Sequence, residues 1–169
     1  MAPKSRRARL KSLESANSIL DKINVQLLGE LLKEPRLAMA ELARRLKMSA
    51  PAVTDRVQRL EDAGVIAGYR LAIDPRALGF PVTAFVRIRP EPRQLQKVAE
   101  LAVETPEVVE CHRITGDDCF LLKVHVGAVE QLETILDRFL AYGQTTTSIV
   151  QSSPVPTRAL PLPTPTTSI

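Results

Sequence analysis

Thr54, Gln58 and Arg59 fall at helical spacing within "MSAPAVTDRVQRL", residues 48–60. A side-chain amide can grip adenine at two points, and a guanidinium can do the same to guanine. Stepping ~100° per residue puts Ala50, Val53, Val57, Leu60 and Gly64 on one side, as a packing seam. Pro51, Asp55, Gln58, Arg59 and Asp62 lie opposite, with Ala52 and Thr54 flanking them. The base-facing candidates are therefore Pro51, Ala52, Thr54, Asp55, Gln58 and Arg59. Asp55 has two readings, either accepting from cytosine or holding Arg59 one turn on. Arg44, Arg45, Lys47, Ser49 and Arg56 are candidates for phosphate contact. An ordinary solvated helix would look much the same in isolation, so the surrounding elements must decide.

Those elements agree. "LDKINVQLLGELLKEP" predicts a helix capped by Asp21, with Leu20 stapled onto Val25 and Pro35 ending it. Its apolar face is expected at Ile23, Leu27, Leu28, Leu31 and Leu32. "MAELARRLK" predicts a shorter helix burying Leu42, Ala43 and Leu46. "LKMS" joins it to a third helix, with Ser49 as N-cap and Pro51 as the second helical residue. There the missing N–H of proline is one that would be unpaired anyway. Gly64 suits the stop, after a last residue near Ala63. Two short helices around such a turn form a helix-turn-helix. The charge supports it. Residues 1–90 hold 17 Lys+Arg against 9 Asp+Glu, and residues 91–169 hold 6 against 10. A basic front half points to a polyanion, and double-stranded DNA is the expected partner.

After residue 66 the pattern changes. "VIAGYRLAID" reads as an extended ribbon, followed by a connector. "VTAFVRIR" alternates as a strand, "PRQLQKVAELAVETP" is amphipathic, and "EVVECHRITGDDCFLLKVHV" gives two strands about a tight Gly-Asp turn. A further helix buries Leu132, Ile135, Leu136 and Phe139, and "TTTSIVQS" is a last strand. Inward positions on the earlier helix are Leu95, Val98, Leu101 and Ala102. The order β-α-β-β-α-β is that of a ferredoxin-like fold, with both helices on one face of an antiparallel sheet. The other face carries Phe85, Leu121, Arg87 and Arg89, and a second copy of the chain is the simplest cover. The expected class is α+β. Its divisions are a basic arm over 1–18, a helix-turn-helix domain over 19–66, a linker strand and hinge over 67–82, a ferredoxin-like domain over 83–153, and a Pro/Thr-rich tail over 154–169.

Other classes are disfavoured. No run of ~18 uncharged apolar residues is present, and the basic N-terminus lacks an apolar segment behind it, so a cytoplasmic location is expected. Cys111 and Cys119 read as reduced thiols. With His112 and His125 they follow no common zinc spacing, and no metal or cofactor is expected. No phosphate-cradling glycine loop or nucleophile–base pair at a recognisable spacing argues for catalysis.

The chain resembles the Lrp/AsnC (leucine-responsive/asparagine-type, feast–famine) transcriptional regulators. "LDKINVQLL", "AELARRLKMSAPAVTDRVQRLEDAGVI" and "GYRLAIDPRALG" carry the first half of the likeness, and "ECHRITGDDCFLLKVHV" with "TTTSIVQSSPV" the second. The resemblance implies a winged helix-turn-helix domain on a ferredoxin-like effector domain, assembly into dimers and often tetramers or octamers, and a response to amino acids. It implies an effector site near Gly116, Asp117 and Asp118, aligned with Ser148, Ile149 and Val150 on the last strand. This chain departs from the pattern in three places. Ala38 stands where a capping Ser is usual, and Lys47 replaces the usual turn glycine. Asp118 and Cys119 replace an aromatic and an Asp. The expected function is sequence-specific regulation of transcription under a small effector, an amino acid. The alternative is an architectural DNA-binding protein that senses nothing. A soluble amino-acid carrier would leave the Arg-bearing third helix without a purpose.

Overall fold

The computed structural model describes residues 19–164. The arm expected over 1–18 lies outside the described residues. Two compact units are present, one running to Leu71 and the other from Ala72 to Pro156. The described residues from Thr157 onward cluster with the first unit. The stretch expected as one linker over 67–82 is thus divided between the units.

The first unit holds α1 (Lys22–Lys33), α2 (Met39–Leu46) and α3 (Ala50–Asp62). Asp21 caps α1 by accepting from the Asn24 N–H at 2.7 Å. The core gathers Leu27, Leu31, Leu42, Val53, Val57 and Leu60 from all three helices. Leu32, expected inside, is 49% exposed. Asn24 and Val25 are buried instead, and the Asn24 amide is satisfied by donating to the Ile19 carbonyl at 2.6 Å. Leu27 and Leu31 are buried as expected, and Asn24 joins them because a buried polar group is tolerated once bonded.

The second unit orders β1 (Val82–Pro90), α4 (Leu95–Glu104), β2 (Val108–Arg113), β3 (Phe120–Val126), α5 (Val129–Leu140) and β4 (Gly143–Ile149). The strands lie β2-β3-β1-β4, all antiparallel. This is the expected ferredoxin-like order, and it makes β1 and β3 the central pair. Alternation on them is clean. Ala84, Val86, Ile88, Phe120, Leu122, Val124 and Val126 are buried and share one core with Val98, Ala102, Leu132, Ile135 and Phe139 of the helices. Leu95, expected inward at the start of α4, is exposed. Residues 67–74 form no strand ladder. Tyr69 instead donates its hydroxyl proton to Glu61 on α3 at 3.2 Å. The connector is a 3-10 turn, Pro75–Leu78, capped by Asp74 and closed by Gly79 in the left-handed region.

Candidate functional site

The third helix carries the candidate base-reading residues outward as its period demands. Val53, Val57 and Leu60 are buried, whereas Pro51, Thr54, Asp55, Gln58 and Arg59 are exposed and Ala52 is half-buried. Ser49 has the extended backbone of an N-cap, but its hydroxyl makes no capping bond. Lys47 holds φ 55°, ψ 44°, the left-handed conformation that costs an L-residue roughly 1–2 kcal/mol. Ala38 begins α2 without a side-chain cap.

Polar side chains on this face are paired along the helix. Asp55 accepts from the Arg59 guanidinium one turn on, which also raises the Arg59 pKa. Gln58 donates to Asp62 at 3.1 Å. The sequence left Asp55 with two readings, and its carboxylate lies against Arg59.

The five phosphate candidates divide. Arg45 bonds Glu30 and Glu34 at 2.8 Å and Glu41 at 3.1 Å, tying α2 to α1. Arg56 donates to Asp21 at 2.7 Å and to Asn24 at 2.9 Å, tying α3 to the start of α1. Both guanidiniums are engaged inside the unit. Arg44 is held by Glu41 on its own helix, and the two arginines together, Arg44 first, hold the Glu41 carboxyl down to about 2. Lys47 makes no side-chain hydrogen bond or ion pair among the described residues. The signal for the inter-helix ties was in the sequence: Glu30, Glu34 and Glu41 are opposite in sign to Arg45. Their convergence required the tertiary fold.

The effector candidates are separated within one chain. Residues 114–119 form a loop closed by the Ile114 N–H donating to the Cys119 carbonyl at 3.0 Å, longer than the tight turn expected. Gly116 takes φ +114° within it, a conformation an L-residue rarely adopts. Asp118 lies 3.8 Å from Arg87, and Asp117 lies 3.3 Å from Arg89. Ser148 pairs with Phe85 and Ile149 with Ala84, while the Val150 N–H donates to the Thr83 carbonyl. Thr83 and Arg87 stand four residues apart on β1, roughly 13 Å along an extended strand. The two halves of the expected site therefore do not meet in a single protomer. Arg87 and Arg89, which alternate onto the helix-free face of β1, are the residues at this loop that sequence pattern does not assign to it.

That helix-free face is mixed. Phe85 is 38% exposed and Leu121 half-buried. Around them Glu110 pairs with Lys123 at 3.2 Å and with His112 at 3.4 Å. Beside His125, Ile73, Leu78, Phe80 and Val109 line an open apolar cavity of about 260 Å³. His125 shares a hydrogen bond with the Thr83 hydroxyl at 2.9 Å. Burial, and then the nearby Lys123, hold its imidazole below the usual pKa.

Residues 20–67 match a winged helix-turn-helix DNA-binding family, and residues 83–160 match the Lrp/AsnC ligand binding domain. The chain is 35% identical over 133 residues to the HTH-type transcriptional regulator LrpC of Bacillus subtilis, covering 79% of this chain and 92% of LrpC. It is 31% identical over 123 residues to the leucine-responsive regulatory protein of Haemophilus influenzae, covering 71% of this chain and 74% of that protein. The solved structure of B. subtilis LrpC superposes with a TM-score of 0.75 at 34% identity, over 79% of this chain and 96% of LrpC. A Neisseria meningitidis transcriptional regulator solved as an L-Met complex superposes with a TM-score of 0.77 at 27% identity, over 84% of this chain and 96% of that one.

Proposed function

Because this chain belongs to the Lrp/AsnC family of DNA-binding transcriptional regulators, we propose that it reads a specific duplex sequence and responds to an amino acid. The observation that carries the DNA reading is the outer face of α3. It presents Thr54, Gln58 and Arg59 together, with the Arg59 guanidinium held ready by Asp55. Held in this way, the guanidinium loses less side-chain freedom on meeting guanine. Lys47, Arg44 and the uncapped Ser49 hydroxyl flank that face and are assigned to phosphates.

The effector reading rests on the loop at Gly116. Its positive φ exposes backbone to a ligand's charged ends, and Asp118 supplies a carboxylate for an ammonium. Ser148, Ile149 and Val150 would come from a neighbouring protomer, since one chain does not bring them to the loop. The L-Met complex of the Neisseria regulator supports an amino acid as the ligand class. The exposed Phe85 and half-buried Leu121 on the helix-free face support pairing of two copies there. A ligand favouring one assembly shifts the equilibrium only by its differential affinity for the two states.

One observation favours the second reading, an architectural DNA-binding protein without an effector: Asp118 already faces Arg87, so an ammonium must compete for it. A thermal-shift screen of the twenty amino acids separates the two. A stabilising hit that Asp118→Ala abolishes is the expected result. No hit, with DNA binding equal in the presence and absence of every amino acid, selects the architectural reading.

A further inference from the structure

The end of the chain does not stay with the sheet it leaves. β4 ends at Ile149, and residues up to Pro156 belong to the second unit. From Thr157 the chain clusters with the DNA-binding unit. The polypeptide therefore passes between the units twice, after Leu71 and again after Pro156. The contact on the DNA-binding unit is specific. Leu162 is half-buried, while Leu160, Pro161 and Pro163 around it are exposed. Its Cδ1 lies 3.5 Å from where a Cβ would stand on Gly29. Gly29 sits in the interior of α1, where glycine is a poor helix former, and a side chain reaching beyond a methyl there would run into Leu162. Pro161 and Pro163 stiffen the segment, which lowers the entropy lost on docking. Leu162 also lies past residue 160, where the match to the ligand-binding domain stops.

We propose that the Pro/Leu segment over 157–163 is a second tether, docked through Leu162 on α1 at Gly29. It ties the DNA-binding unit to the last strand of the effector unit in addition to the connection after Leu71. A head held at two points samples fewer orientations. In a paired protein this raises the effective concentration of the second head once the first is on DNA. That consequence rests on the DNA-reading proposal, whereas the docking itself does not.

The docking is tested in the full chain by trypsin cleavage after Arg158, followed by mass spectrometry. Cleavage tracks the population of the undocked segment. Leu162→Asp and Gly29→Gln should speed it roughly tenfold, the second without touching the cleaved sequence. Gly29→Ala should stay as slow as the parent, because a methyl at 3.5 Å is in ordinary contact. Equal rates in all four proteins overturn the docking. For the restraint, duplexes carrying one or two copies of a half-site selected by the parent protein are compared. Leu162→Asp should lose roughly tenfold on the paired site and nothing on the single site. Equal loss on both, or none on either, overturns the restraint while leaving the proteolysis result standing on its own.

Discussion

At the scale of single residues, Asp55 and Arg59 act as a unit. Arg59→Ala removes the guanine-gripping group, so the ratio of operator to random-duplex affinity should fall roughly tenfold. Asp55→Ala should raise affinity for every duplex by removing an anion near phosphates, while lowering that ratio by freeing the guanidinium. A change of preference confined to one cytosine position would instead make Asp55 a base reader. Lys47 carries two separable effects. Lys47→Gly should stabilise the unit by about 1 kcal/mol, measured by chemical unfolding, because glycine adopts the left-handed turn without strain. Both Lys47→Gly and Lys47→Ala should weaken all duplexes alike and flatten the salt dependence by about one unit. An unchanged salt slope would remove Lys47 from the phosphate set.

At the scale of elements, α1 and α2 are joined by charge as well as by Leu27, Leu31 and Leu42. Arg45 reaches Glu30, Glu34 and Glu41, and Glu41 also holds Arg44. The Glu41 carboxyl is held at about 2 against an ordinary 4.5. Between those values the unfolded chain takes up a proton that the folded one does not. This contribution to stability is present above about pH 4.5 and is lost as the pH falls toward 2. Amide exchange of α2 between pH 6 and pH 3 should accelerate in the parent protein beyond the intrinsic pH dependence of exchange. Glu41→Gln should already exchange faster at pH 6 and show less additional acid sensitivity. Equal acid sensitivity in the two proteins would show that the ion pairs are too well screened to matter.

At the scale of the whole molecule, the helix-free face of the sheet and the split effector site point the same way. The face presents Phe85 and Leu121 within a rim of opposite charges, and the halves of the site lie on separate parts of each sheet. Phe85→Lys should put a charge where the pairing reading needs apolar contact. Sedimentation should then show a smaller assembly, with single-half-site binding retained. An unchanged sedimentation profile would move the interface elsewhere.

Much of this was legible from local pattern. The three helices, Pro51 in a first turn, the left-handed stop at Gly64 and the four strands follow from periodicity and caps, which depend on neighbours in sequence. The outward set on α3 was legible for the same reason. Misplacements came where distant residues decide. Leu32, one residue from the end of α1, is left exposed although it shares the apolar side of the helix. Arg45 and Arg56, read from the sequence as phosphate candidates, also tie helices together because carboxylates 11 to 35 positions away converge on them. The two halves of the effector site, aligned in the family pattern, lie apart on one sheet because β1 stands between them and sets them two to four residues from each other. Leu162, part of a tail with no regular pattern, lies against a glycine more than a hundred residues earlier. Sequence alone determined the outward face of α3 and the alternation of the central strands, because those follow from period, whereas Leu32 and Leu95 depart from it near helix ends. Tertiary structure decided what each residue meets, because contacts between elements depend on where the chain returns.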